Sequence, residues 1–432
     1  MRHLVPAALA AVALLSAACG IPSGTKPPSA VDSTSPPRPG AATDALIARD
    51  QASLKLNPTS NTISASLAGA YLQKVREVGD PSYYGKADEL LQAVLKRDPT
   101  QLAATVLTGQ LQLARHQFLT ALDWGQKARA LNPYVTPPLA VIVDAEVELG
   151  RYPAAIDDVQ KMVDLRPDLS SYSRVSYVRE LKGDRAGAIE AMQAALTAGG
   201  SIPENTAYVQ VLLGTLYFNQ GDVASAAAQY RLVLVGYPDF VPALAAQAAV
   251  AAAKDDLPTA IRLYKKAVDI YPLPQYVIAL GDVYAASGDS VNAGRTYDLA
   301  AAEQQLYQAN GIDLDQELAL FDADHQRDSA NVRTLAARAV ADRPSVTSYD
   351  VYSWVLYQAG DFQGALAATR QAHKLGTRDA LFYFHTGMIE AKLGMNHEAR
   401  SDLGAALAIN PHFSVLHTPE AQKELAALGG PL

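Results

Sequence analysis

The densest run of side chains able to bind a cation or move a proton is Asp313, Asp315, Glu317, Asp322, Asp324, His325 and Asp328. Converging carboxylates suit hard divalent ions, and Asp324 and Asp328 stand about one helical turn apart. The run lacks a glycine-bearing ligand loop and alternates with Leu318, Leu320 and Phe321, so it reads as the wet face of a helix. The histidines at 116, 373, 385, 397, 412 and 417 are scattered without ligand spacing, apart from the loose pair His412 and His417. No phosphate-cradling glycine loop, GxSxG elbow, HExxH, CxxC or EF-hand loop occurs. The expectation is a chain with no catalytic residues, no metal site and no cofactor. With 36 Lys+Arg against 44 Asp+Glu over 432 residues, there is no basic excess to neutralise phosphates, which argues against nucleic acid as a partner. A single cysteine rules out an internal disulfide framework.

The position of that cysteine is informative. Arg2 precedes an apolar run, Leu4 to Leu15, and the small residues Ser16, Ala17 and Ala18 lead to Cys19, the layout of an export signal. A 12-residue helix spans roughly 18 Å, well short of the ~30 Å hydrocarbon core, so a permanent membrane span is disfavoured. The stretch Leu15-Ser16-Ala17-Ala18-Cys19-Gly20 resembles the lipobox of bacterial lipoproteins, with Ser16 where Leu is usual. The resemblance implies that residues 1–18 are a signal peptide and that Cys19 carries the lipid. Ordinary signal-peptidase cleavage after Ser16-Ala17-Ala18 also fits and would leave Cys19 a free thiol. Residues 19–43 hold Pro22, Pro27, Pro28, Pro36, Pro37 and Pro39 among Ser, Thr and Gly and read as a disordered tether. The expected location is extracytoplasmic, on a bacterial membrane through Cys19 alone.

Beyond the tether the chain punctuates itself with Pro99, Pro133, Pro167, Pro203, Pro238, Pro272, Pro344 and Pro411, at intervals near 34 residues or twice that. Twelve residues before the proline stand Ala87, Ala121, Ala155, Ala226, Ala260 and Ala399. Gly150, Gly183, Gly221, Gly288, Gly360 and Gly394 each precede an alanine by five residues, and Gly109, Gly214 and Gly387 lie 24 before the proline. Physical chemistry supplies a reason for each spacing. The first glycine set can take the left-handed conformation that ends a helix, and Asp184, Asp222, Asp289 and Asp361 can cap the next. The alanines and the third glycine set lack bulk where two antiparallel helices approach closely, and the proline stops the second helix. A hairpin exposes an apolar face, so hairpins stack.

This pattern, clearest from Gly214-Thr215-Leu216-Tyr217 through Gly221-Asp222, Ala226, Tyr230 and Pro238, resembles the tetratricopeptide repeat family. The resemblance implies an all-α fold, an α-solenoid wound as a right-handed superhelix of about ten helix-turn-helix units over 64–411. Flanking it are an N-terminal helix within 44–63 and a C-terminal capping helix and tail over 412–432. The unit ending near Pro344 departs most, lacking both glycines and following the polar stretch Glu303 to Gly311.

In that family the first helix of each unit lines a concave groove that receives peptides. Residues sharing that face by helical spacing include Tyr177, Tyr208, Phe218, Trp354, Tyr357, Phe384 and Met388, and such side chains suit partner anchoring. Equivalent positions hold Asp144, Glu148, Glu180, Asp282 and Asp350 with one clear cation, Lys392. The expected partner is therefore a protein or peptide, neutral or basic and partly apolar. The expected function is a non-catalytic scaffold of the cell envelope. The other readings are an accessory subunit of a separate envelope enzyme, transporter or secretion, pilus or polysaccharide machine, and a hydrolase or a metal- or glycan-binding protein using Asp313 to Asp328.

Overall fold

The computed structural model describes residues 40–327 and 329–432, and these form an all-α solenoid without strands. A lone helix, α1 (Ala41–Leu56), leads into ten antiparallel hairpins. The first five are α2 (Asn61–Val78) with α3 (Ser82–Arg97), α4 (Leu102–Ala114) with α5 (Phe118–Leu131), α6 (Thr136–Glu148) with α7 (Tyr152–Leu165), α8 (Leu169–Leu181) with α9 (Arg185–Ala198), and α10 (Pro203–Asn219) with α11 (Val223–Gly236). The next five are α12 (Val241–Ala253) with α13 (Leu257–Ile270), α14 (Pro274–Ala286) with α15 (Ser290–Ala309), α16 (Asp315–Asp324) with α17 (Ser329–Asp342), α18 (Val346–Gln358) with α19 (Phe362–Ala372), and α20 (Ala380–Lys392) with α21 (Asn396–Ile409). Helix α22 (His417–Ala427) closes the stack. Extensive helix-to-helix packing joins neighbours one or two places along the chain, as in a solenoid built from nearest-neighbour interfaces.

The hairpin turns follow from single residues. Gly150, Gly183, Gly221, Gly288, Gly360 and Gly394 all adopt φ between +67° and +82°. Asp184, Asp222, Asp289 and Asp361 then accept the N–H three residues on, at 2.9, 2.9, 3.0 and 2.9 Å. Three hairpins make the same turn without glycine, using His116, Asp255 and Gln326 at φ +58°, +58° and +52°. That choice costs roughly 1–2 kcal/mol per residue. Gln326 identifies the unusual eighth segment as a hairpin like the others, and the polar stretch before it is the end of α15, which runs for 20 residues.

Packing within and between hairpins depends on missing bulk. Ala87, Ala121, Ala155, Ala226, Ala260 and Ala399 are fully buried. A Cβ on Gly109 would lie 2.8 Å from Val141 Cγ1 and one on Gly387 2.7 Å from Leu403 Cγ, while Gly214 and Gly281 abut the rings of Tyr230 and Tyr297. Gly281 plays the same part, but its unit ends without a proline to register it. The largest core cluster runs from α10 to α14 and centres on α12, where every residue but Gln247 is buried. An apolar helix of this kind is a core helix, and no described helix is long and apolar enough to cross a membrane.

The solenoid coils tightly enough for its second turn to rest on its first. His116 Nδ1 donates to the Asp313 carbonyl at 2.7 Å, and Asp313 N–H donates to the Arg115 carbonyl at 3.0 Å. Val346 N–H donates to Tyr152 Oη at 2.7 Å, Thr377 Oγ1 to the Leu181 carbonyl at 2.5 Å, and Asn410 Nδ2 to the Phe218 carbonyl at 3.0 Å. The sequence separations of these side-chain joints are 197, 194, 196 and 192 residues. At each joint, the turn within an early hairpin meets the loop between two late hairpins. Tyr307 near the end of the lengthened α15 adds a bond from its hydroxyl to the Gly79 carbonyl at 2.6 Å. An apolar cluster crosses the same seam, joining Val147, Tyr152, Val178 and Leu181 to Val346, Ala372 and Phe382.

Candidate partner-binding surface

The first helix of each hairpin faces the axis of the coil, and in five hairpins an acidic side chain on it is bonded to the next hairpin. Asp144 on α6 makes a two-point ion pair with Arg174 on α8, Nε to Oδ1 at 2.7 Å and Nη2 to Oδ2 at 2.6 Å, with Arg174 fully buried. Glu180 on α8 accepts from Asn219 on α10 at 3.2 Å. Asp282 on α14 lies 2.8 Å from His325 Nε2 and accepts the Tyr297 hydroxyl at 2.9 Å. Asp324 on α16 accepts Trp354 Nε1 at 2.8 Å, and Asp350 on α18 lies 3.1 Å from His385 Nδ1. These bonds form a polar ladder along the inner wall.

The ladder corrects the expectation of an acidic groove served by one cation. Arg174, Arg343, His325 and His385 supply the missing donors, and Lys392 is not among them. Arg174 and His385 each stand nine residues before a turn glycine, Gly183 and Gly394, and face an acid of the preceding unit. That shared spacing is the signal that would have found them. Arg343 donates to both Glu317 oxygens at 2.9 and 3.0 Å. Burial pushes the Asp144 carboxyl up to about 6 against the opposing pull of Arg174. Burial likewise lifts Glu148 to about 7, with Arg343 opposing and Glu317 and Asp144 adding to the rise. Its Oε2 has no hydrogen-bond partner among the described residues.

The aromatic anchors expected on an open concave face are placed differently. Phe218, Trp354, Phe384 and Met388 are buried, at most 4% exposed, and this corrects their reading as open-face anchors. Tyr177, Tyr208 and Tyr357 are half-buried and pack on neighbouring core clusters. Adjacent hairpins and the closing helix cover them. Trp354 stacks on Tyr357 at 4.7 Å and on His385 at 4.4 Å, while Phe384 lies 5.0 Å from His417 and 5.5 Å from Phe413. His417, on the closing helix α22, comes within 3.2 Å of Asp324 three first helices earlier. Burial pulls the His417 imidazole down, but Asp324 and Glu420 outweigh it and raise the pKa to about 9.

The acidic run from Asp313 is not a wet helix face either. Asp313 is tied to Arg115 and His116, Asp315 to Arg338 at 2.8 Å, Glu317 to Arg343, and Asp324 to Trp354 and His417. Among the described residues no group of three or more His, Cys, Asp or Glu is placed to hold a metal ion. His412 and His417 do not converge on one point: the His412 backbone N–H is held by Asn410, and the His417 ring by Asp324 and Glu420. Cys19 lies outside the described residues, as do the expected leader and most of the tether. Helix α1 starts at Ala41, inside the segment expected to be tether up to residue 43.

Residues 181–239 and 211–273 match the family model of the tetratricopeptide repeat. No curated protein matches the chain. Among solved structures, the fold is similar to a tetratricopeptide repeat protein from Parabacteroides merdae, with 17% identity over 60% of this chain and 98% of that one, at TM-score 0.36. It is also similar to the Cut9-Hcn1 hetero-tetramer of the APC/C, with 15% identity over 90% of this chain and 82% of that one, at TM-score 0.38. A third similar structure is the human IFIT1 dimer with PPP-AAAA, with 14% identity over 94% of each chain, at TM-score 0.47. The chain thus carries tetratricopeptide repeats at its centre, set within a longer all-α solenoid of the same hairpin design.

Proposed function

We propose that this chain is an exported, lipid-anchored scaffold of the bacterial cell envelope that holds a partner protein and performs no chemistry itself. The observation that carries the reading is the use to which the axial ionisable groups are put. Asp144, Asp282, Asp324 and Asp350 are each bonded to the next hairpin, so these shielded carboxylates serve cohesion and not catalysis. Repeat solenoids act by presenting extended surfaces, and a tether fixes the volume such a surface searches from its anchor.

The partner is a protein or peptide, neutral or basic and partly apolar, in keeping with the net charge of -8. Because the aromatic side chains of the inner wall are packed in the core, the proposed contact surface is the outer wall and the rows of turns. Exposed apolar side chains there include Tyr134, Leu232, Val235 and Val291.

Two measurements test the reading. Mass spectrometry of the mature protein should find a diacylglyceryl adduct on Cys19; an unmodified thiol would remove the anchor. In-cell crosslinking from Tyr134 or Val235 should give one stoichiometric envelope protein, and the absence of any specific adduct from either position would refute the scaffold role.

A further inference from the structure

Two hairpins carry a pair of carboxyl groups at the same register. In the third, Glu146 stands four residues before the turn glycine Gly150 and Asp158 eight after it; in the tenth, Glu390 and Asp402 hold those places about Gly394. None of the turns at Gly183, Gly221, Gly288 and Gly360 has an acid at both. The helices of the tenth hairpin meet closely, since a Cβ on Gly387 would lie 3.0 Å from the Leu403 backbone nitrogen. Glu390 is about one turn beyond Gly387 and Asp402 adjoins Leu403, which brings the two carboxyls within hydrogen-bonding reach.

The bases serving the two pairs differ. Arg129, from the preceding hairpin, donates to Asp158 Oδ2 at 3.3 Å, and Lys161 donates to its Oδ1 at 2.7 Å. In the tenth hairpin His373 stands at the place of Arg129, 21 residues before the turn glycine, and Ala405 at the place of Lys161. A guanidinium stays charged at any physiological pH, and an imidazole does not. His373 Nε2 lies 2.9 Å from Thr386 Oγ1, whose own proton goes to the Phe382 carbonyl at 2.8 Å, so the ring nitrogen is the donor. Glu390 is 7% exposed, and its Oε2 faces no hydrogen-bond donor among the described residues. A carboxylate there would be buried without compensation, whereas a carboxyl that keeps its proton donates it to the facing Asp402 oxygen.

We propose that Glu390 and Asp402, with His373 as the neighbouring base, form a proton-binding site that holds the last hairpin closed, and that losing the proton loosens α20, α21 and α22 ahead of the rest of the coil. Burial leads, with Asp402 and Glu398, in lifting Glu390 from 4.5 to about 8, and burial also raises Asp402 against the pull of His373. In the third hairpin burial and Asp158 lift Glu146 only to about 7, because Arg151, Lys161 and Arg129 oppose them. The other charged groups on the elements packed around the site are engaged elsewhere or face solvent. Asp350 of α18 is paired with His385, Arg400 holds the Gly430 and Pro431 carbonyls, and on α22 His417 is held by Asp324 and Glu420 while Glu424 acts on Tyr357. Arg370, Lys374, Lys392, His397 and Lys423 are exposed. The closed hairpin keeps a proton that the opened one releases, so the opened fraction rises with pH from 4.5 through about 8. The site also lies where the stack opens most readily, since the tenth hairpin has a full hairpin on one side and a single helix on the other. The proposal does not depend on the anchor or the partner-binding role proposed above.

The test uses the full mature chain and two readouts. In infrared spectra, the difference between the wild type and Glu390→Gln should contain a protonated-carboxyl C=O band at pH 6 that is gone at pH 9, and Asp402→Asn should displace the same band. His373→Arg, which installs the fixed cation of the third hairpin, should move its loss to lower pH. Hydrogen exchange of the α20–α22 amides, corrected for the intrinsic pH dependence of exchange, should show the opened fraction rising roughly 100-fold from pH 6 to pH 9 in the wild type and less than about tenfold in Glu390→Gln. A difference spectrum without the band at pH 6 overturns the proposal, as does a band that neither Asp402→Asn nor His373→Arg moves. A rise in opening that Glu390→Gln leaves unchanged overturns it equally.

Discussion

Replacing Glu148 with Gln should stabilise the protein at pH 8 and have much less effect at pH 5. Glu148 ends α6 on the inner wall, is 4% exposed, and leaves Oε2 without a partner among the described residues. The groups facing it are Arg343, whose hydrogen bonds go to Glu317, and the like charges of Glu317 and Asp144. Burial leads these in lifting its pKa from 4.5 to about 7, a factor of roughly 10^2.5 in proton affinity. At about 1.4 kcal/mol per factor of ten, the ionised group costs on the order of 3 kcal/mol at pH 8. The sign follows from proton counting. Between pH 4.5 and 7 the folded chain holds a proton that the unfolded chain has released, so stability falls as pH rises through that window and levels off above it. At pH 5 the same arithmetic leaves a cost under about 1 kcal/mol. A buried amide retains some desolvation cost, so the expected gain of Glu148→Gln is about 1–3 kcal/mol at pH 8. Paired thermal melts of the two proteins at pH 5, 6, 7 and 8 report it, because titrations common to both cancel in the difference. A gain independent of pH, or a loss at pH 8, would refute the account of Glu148 as a buried and uncompensated charge.

Three substitutions probe the packing. Trp354→Ala should cost about 3–5 kcal/mol in a chemical melt, since a buried indole stacked on Tyr357 and His385 is removed; unchanged melting with weakened partner capture would return Trp354 to the surface. Gly214→Ala should lower stability by about 1–3 kcal/mol because its methyl meets the Tyr230 ring, whereas the same change at Gly236, with no such neighbour, should not. Arg174→Ala should cost about 3–5 kcal/mol by stranding Asp144, and Arg174→Met with Asp144→Leu should recover most of it. If the double variant is no better than the single one, the pair is doing something other than satisfying itself.

The local parts of this fold were legible because each depends on one or two residues at fixed spacing. A glycine at positive φ marks the turns at 150, 183, 221, 288, 360 and 394, and in four of them an aspartate cap follows directly: Gly183-Asp184, Gly221-Asp222, Gly288-Asp289 and Gly360-Asp361. Where His116, Asp255 or Gln326 makes the turn, the spacing survives without its marker. The eighth hairpin was obscured for that reason. The conformational penalty is small enough for neighbouring packing to absorb, so nothing in composition announces the turn.

The inner wall was harder to read because its chemistry depends on how far the coil closes. A separation of 192–197 residues between seam partners is the sum of many small rotations, each set by side-chain volumes at one interface. Glu148 illustrates the consequence. Alone on α6 it is an acid on a groove face; with the second turn laid over the first, Glu317 and Arg343 arrive from hairpins almost half the chain away, and the same carboxylate becomes a buried group whose charge opposes folding. The acids at 144, 282 and 350 take their partners from the adjacent hairpin and need no long-range closure. Nearest-neighbour polar pairs thus tie each hairpin to the next, whereas the seam brings both a like charge, Glu317, and an opposing one, Arg343, to a carboxylate that burial already lifts.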